Sequence, residues 1–159
     1  MALDFQVFVA DPRESLLQPD HFDGEVRLIA DYTSYDLNQL PFSDQTFVVV
    51  VTHDHQIDQS LVEMVLRKPF AYAALVGSLR KARLTVQRCQ NKGFHAEEIA
   101  KLLSPAGLDI GAQTPEEIAV SIMGQITQCR HHAKDEPFWR TAQTEIQKAL
   151  KTQEEESVA

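Results

Sequence analysis

The sequence predicts an α/β domain in which a mostly parallel sheet lies between layers of helices. Three observations predict it. Short β-branched and aromatic runs, FQVFVA at 5–10, VRLIA at 26–30, TFVVVVT at 46–52 and YAALV at 72–76, alternate with connections and helix-patterned segments. The run at 46–52 is apolar at five consecutive positions, as expected of a strand covered on both faces. The run at 72–76 ends in Gly77-Ser78 and passes at once into a basic, helix-compatible stretch, the order strand, turn, helix. In such sheets ligands sit outside the carboxyl ends of the strands. Those ends carry Asp11, Asp31, residues 52–55 and residues 77–81.

Composition bounds the function. A chain of 159 residues predicts one domain, long enough to bury about two-thirds of its extended-chain surface. The formal charge of −8 argues against a nucleic-acid partner and against a membrane surface recognised through basic residues, while leaving room for a local anion site. No segment has the pattern of a signal peptide, and no apolar run approaches the ~20 residues that span a bilayer. Cys89 and Cys129 lie far apart without CxxC spacing, which suggests free thiols in a reducing compartment. A cytoplasmic protein is expected.

The elements follow in order. The first strand stops at Asp11-Pro12-Arg13, where Asp11 is either the acid that meets a ribose hydroxyl or the cap of the turn that Pro12 enforces. Residues 14–24 read as a loop or short helix, the second strand closes at Asp31, and 32–45 suits a polar connection. After the third strand and its His53-Asp54-His55, residues Ile57, Leu61, Val62, Met64, Val65 and Leu66 give helical spacing up to Pro69, with Asp54 or Asp58 at the favourable end of the dipole. A helix opening at Ser78 runs to Asn91 and stops at Lys92-Gly93; another is expected over 95–103, stopped by Ser104-Pro105. The glycine-punctuated PAGLDIGA at 105–112 leads into Thr114-Pro115-Glu116-Glu117, a capping box with proline at the first helical position. That helix carries Ile118, Ile122, Ile126 and Cys129 on one face and runs to His131 or Ala133. Residues 137–154 predict an amphipathic helix with Phe138, Trp139, Ala142, Ile146, Ala149 and Leu150 inward, packed on its own domain or a twin subunit, followed by a fraying acidic tail. The organisation is a domain over 1–133 with a helical extension over 134–159.

Several residues could carry chemistry. Gly77 and Ser78, with the free N–H groups of the first helical turn beside Arg80 and Lys81, make either a phosphate cradle or an ordinary strand-to-helix connection with solvated cations. His53 and His55 offer two imidazoles without a third ligand nearby, so lining the crevice at the strand ends suits them better than metal binding, with Asp54 capping the next helix. Asp109, framed by Gly107 and Gly111, either touches a ligand or satisfies its own loop. Tyr72 reads as core. No Ser, Cys or Thr nucleophile sits beside a base in a known motif, which points away from an enzyme.

The strings VVVVTHDHQID, AYAALVGSLRKAR and PAGLDIGAQTPEEIAVSI, in that order and spacing, resemble the C-terminal Rossmann-type domain of the XdhC/CoxI family, the accessory factors of xanthine dehydrogenase and related molybdenum hydroxylases. The resemblance covers residues 5–130. It implies a Rossmann-like three-layer fold and a non-catalytic protein that binds molybdopterin or molybdenum cofactor, favours its sulfurated form and delivers it to a molybdenum hydroxylase apo-enzyme, with a cofactor sulfurase as a further partner. On this reading Asp11, His53, Asp54, Gly77, Ser78, Arg80, Lys81, Asp109 and Gly111 bind cofactor, with Ser78, Arg80 and Lys81 at the phosphate. Relative to the family, the chain starts after the first strand and its Gly-rich turn and lacks the separate N-terminal domain. An N-terminally truncated sheet is therefore expected, either because the sequence is part of a longer chain or because a short member completes its sheet in another way, such as homodimer pairing.

Two other functions stay open. A nicotinamide-dependent oxidoreductase would bind NAD(P) through Asp11, although none of the six glycines forms a GxGxxG. A ligand-free assembly module would act through the helix at 137–154.

Overall fold

A computed structural model describes residues 4–31, 37–132, 137–142 and 146–150. The chain divides into two compact units, Met1–Pro41 and Phe42–Ala159.

In the first unit, β1 (Val7–Ala10) pairs in parallel with β2 (Val26–Ile29), Val7 opposite Val26 and Ala10 opposite Ile29. The Asp11 N–H donates to the Ile29 carbonyl at 3.1 Å and extends the pairing by one residue. Two 3-10 turns, Glu14–Leu16 and Pro19–His21, make the crossover, in keeping with the short apolar pattern there.

In the second unit, β3 (Phe47–Val50), β4 (Tyr72–Leu75) and β5 (Leu102–Leu103) form a parallel sheet in the order β3-β4-β5. β4 lies in the middle and is buried at all four positions, which explains its unbroken apolar sequence. Helix α1 (His55–Val65) connects β3 to β4, and α2 (Leu79–Asn91) and α3 (Ala96–Ile99) connect β4 to β5. Helix α4 (Pro115–Arg130), α5 (Phe138–Thr141) and a helical segment at 146–150 complete the unit. The core is built from the sheet and the inner faces of α1, α2 and α3, including Val62, Leu75, Val86, Ile99 and Leu102. Asp54, Ser78 and Thr114 cap α1, α2 and α4, each side chain accepting from amides of the first turn. Gly93, at φ +84, follows the end of α2.

Three expectations change. All pairings are parallel, as an α/β fold requires, but the described strands fall into two sheets, one in each unit, rather than one; a strand pattern records burial and not which strand is its neighbour. The helix expected over 95–103 ends at Ile99, and Leu102 and Leu103 become β5. Both leucines are almost fully buried beside β4, and a two-residue strand is too short to show a period. The helix expected over 137–154 breaks at Ala142, whose ψ of 105 is extended. Past the break, Ile146 and Leu150 enter the main core, so the segment packs on its own unit. Residues 143–145 and the acidic tail beyond 150 lie outside the described residues.

Candidate functional site

A crevice of about 730 Å³ opens at the carboxyl ends of β4 and β5. One wall is the turn of Val76, Gly77 and Leu79, a second is the loop from Pro105 to Asp109, and a third is the face of α4 bearing Ile118, Ser121, Gln125 and Gln128, with Phe138 and Ala142 closing it.

The loop wall is held by α4. Gln125 is buried, and its Oε1 accepts from the Tyr72 hydroxyl at 2.7 Å and from the Gly107 N–H at 2.9 Å, while its Nε2 donates to the Gly107 carbonyl at 3.1 Å. The Leu108 N–H donates to the Ser121 carbonyl at 3.2 Å. Gly107 has φ +96, and a Cβ there would collide with Ser121 Oγ, so only glycine allows the loop to lie this close to the helix. At the strand side, Ser104 Oγ and the Ala106 N–H both donate to the Leu75 carbonyl.

The turn wall rests on charge. Ser78 Oγ accepts from the Lys81 N–H at 3.3 Å, which fixes the start of α2. Lys81 does not project to solvent. Its Nζ lies 2.5 Å from Asp58 Oδ2 and donates to the Val76 carbonyl at 2.8 Å. The Asp58 side chain is 3% exposed, and its Oδ1 accepts from the Thr52 hydroxyl at 2.8 Å and the Thr52 N–H at 3.3 Å. His55 Nδ1 stands 3.8 Å from Asp58 Oδ2 and is largely exposed. Gly77 is not among the glycines with positive φ. It is required by space instead, since a Cβ there would collide with Lys81 Cδ.

The structure separates the residues that the sequence grouped. Gly77 and Asp109 line the crevice. Ser78 and Arg80 lie exposed at the start of α2, where Ser78 already accepts from the Lys81 amide. Lys81 is turned inward onto Asp58, so its amine is committed within the protein. His53 is exposed at the end of β3, and Asp54 caps α1; the Gln56 and Ile57 N–H groups hold its carboxyl below the ordinary value. Gly111 is exposed at φ +72 with nothing near a built Cβ, so it shapes the loop. Asp11 belongs to the first unit, where Arg13 grips both its oxygens through Nε at 2.9 Å and a terminal nitrogen at 2.7 Å. The Arg13 backbone N–H also donates to Asp11 Oδ1 at 2.9 Å, which is the turn-capping contact. Sequence reasoning missed Gln125 and gave Asp58 only a place in the helix dipole. Gln125 was signalled by its place on the same helical face as Ile118, Ser121 and Ile122.

Among the described residues, no group of three or more His, Cys, Asp or Glu could hold a metal ion, and no helix is long and apolar enough to cross a membrane. Cys89 and Cys129 are free.

Residues 1–126 match the family described as the XdhC Rossmann domain. The chain is 32% identical over 132 residues to the uncharacterized protein YqeB of Escherichia coli, covering 82% of this chain and 24% of that protein. It is 32% identical over 126 residues to a probable xanthine dehydrogenase subunit of Bacillus subtilis, covering 79% of this chain and 36% of the other. A crystal structure of a xanthine dehydrogenase from Bacillus halodurans superposes with a TM-score of 0.68 at 31% identity, over 86% of this chain and 39% of that one. The chain thus spans between a quarter and two-fifths of the length of these proteins. A match over most of the chain, a parallel sheet with helical crossovers and a crevice at the strand ends agree: the chain belongs to the XdhC Rossmann domain family.

Proposed function

We propose that this domain binds a molybdopterin-type cofactor in the crevice at the ends of β4 and β5, as a non-catalytic accessory factor in maturation of a xanthine dehydrogenase-type molybdenum hydroxylase. The observation that carries the reading is the crevice itself, whose turn wall, Gly77 and Leu79, is the start of α2. A volume of about 730 Å³ is of the size that holds one drug-sized ligand. The first-turn amides of α2 favour an anion, and Arg80 beside them is exposed and always charged. Ser121 and Gln128 offer polar atoms on the opposite wall for a heterocycle, between the apolar surfaces of Leu79, Leu108 and Phe138.

In this reading Ser78 and Arg80 meet the phosphate, Asp109 and Gly77 line the crevice, and the bound group supplies its chemistry only after transfer. The names of the Bacillus relatives point to the xanthine dehydrogenase system; the partners of this reading are a molybdenum hydroxylase apo-enzyme, a cofactor sulfurase upstream and a second copy of this chain. The reading is tested by titrating the chain with molybdopterin cofactor and, in parallel, with NAD(H). Molybdopterin should bind, and Arg80→Ala should weaken it about tenfold, the loss of one charge-assisted contact. Binding of NAD(H) without molybdopterin would overturn the reading.

A further inference from the structure

Asp58 is a buried charge of the second unit, and Lys81 is paired with it. Lys81 lies on the first turn of α2, yet its side chain runs back past Gly77 to place Nζ on Asp58 and on the Val76 carbonyl. Asp58 in turn holds Thr52 at the end of β3 through two hydrogen bonds to Oδ1. Direct contacts therefore run Thr52, Asp58, Lys81, Val76, from the end of β3 to the end of its parallel neighbour β4. Val76 and Gly77 are crevice wall. A buried ion pair adds little net stability over apolar residues of the same size. Its use is better sought in what it positions.

We propose that Asp58 and Lys81 form a latch that fixes the turn of residues 76–79 in the geometry a ligand meets, so that both are positioning residues for the crevice and neither touches the ligand. The inference rests on the reading of the crevice as a cofactor site. Gly77 is part of the same device, because its missing Cβ is the space through which the Lys81 stem reaches Asp58.

The test compares the wild type, Lys81→Met, the double variant Asp58→Asn/Lys81→Met, and Gly77→Ala, which keeps both charges but drives a methyl into the Lys81 stem. Amide hydrogen exchange at residues 76–79 is measured in the free chain, thermal midpoints are recorded, and molybdopterin affinity is titrated. Lys81→Met strands a buried carboxylate and lowers the midpoint, which the double variant restores toward the wild-type value. In the double variant and in Gly77→Ala, exchange at 76–79 should rise at least tenfold while that of β3 and β4 is unchanged, and molybdopterin affinity should fall at least tenfold. Wild-type protection of the turn in the double variant would overturn the latch. So would a loosened turn that binds molybdopterin as tightly as before. If the wild type takes up no molybdopterin, the cofactor reading fails, and the exchange comparison still decides the latch.

Discussion

The Tyr72 hydroxyl donates to Gln125 Oε1 at 2.7 Å and so joins the first residue of β4 to the middle of α4, 53 positions away. Burial pushes the Tyr72 phenol well above its ordinary range, which keeps it a protonated donor at neutral pH. The same Gln125 amide holds both backbone groups of Gly107. Replacing Gln125 with Leu leaves the Tyr72 hydroxyl and two Gly107 groups without partners and should cost about 3 kcal/mol, whereas Tyr72→Phe, which leaves the Gly107 contacts in place, should cost about 1 kcal/mol. Urea denaturation with an unchanged m-value checks both.

Gly107 and Gly111 both have positive φ but differ in what an added side chain would meet. At Gly107 a methyl runs into Ser121 Oγ, while at Gly111 it meets nothing within 4 Å. Gly111→Ala should therefore carry only the backbone penalty of about 1 kcal/mol, and Gly107→Ala should exceed it clearly because the loop must also move off α4. A Gly107→Ala chain as stable as Gly111→Ala would mean that the loop does not rest on Ser121.

Acid should loosen the helix starts first. Backbone amides lower the pKa of Asp54 at α1 and of Glu117 at α4, and the backbone and Thr114 lower that of Glu116. A folded value below the unfolded one means that this stabilisation is complete above pH 4.5 and is lost as pH falls through the depressed folded values. Asp54→Asn keeps a capping oxygen but removes one titration, so its thermal midpoint should fall less between about pH 5 and about pH 3 than that of the wild type.

The two thiols should be slow. Burial pushes Cys129 up to about 11 and raises Cys89 as well. At about pH 8 the native Cys129 thiolate is then about a hundredfold scarcer than in an ordinary thiol, and alkylation should be slower by about that factor until urea is added. A fast-reacting native thiol would contradict the packing of Cys129 against the Ala71 carbonyl, to which its Sγ lies at 3.4 Å.

The segment past Ala142 should matter to the fold. Ile146 is 0% exposed and sits in the main core. Ile146→Ala should cost about 2–5 kcal/mol, as other deletions of fully buried aliphatic groups do. A surface appendage would lose almost nothing in the same denaturation experiment.

What the sequence made legible was local. The caps Asp54, Ser78 and Thr114 could be read directly, because a capping side chain and the amides it accepts from lie within three residues. The strands at 47–50 and 72–75 were legible from their apolar density, and α/β class from their alternation with helices. The rest depended on distance. Leu102 and Leu103 look helical beside 95–101 and become a strand only because β4 lies next to them. Asp58 reads as an ordinary first-turn acid, and its burial is set by Lys81, 23 residues later. Gly77 reads as a site of close ligand approach, while what occupies the space above it is a side chain of the protein's own. Spacing puts Gln125 on the inner face of α4, but that it holds Gly107 and that Phe138 closes the crevice depend on tertiary packing, which no spacing rule records.

The stem of Lys81 crossing Gly77 to reach Asp58 also sets the terms on which this turn can be borrowed or redesigned. A graft of residues 72–83 into another α/β scaffold would carry an ammonium group that expects a carboxylate from the preceding crossover helix. Without a counterpart of Asp58 in the host, that group must either leave the interior, vacating the space Gly77 keeps clear, or remain buried without its anion. The transferable module is therefore longer than the motif that advertises it: it begins at Thr52 and includes the whole of α1.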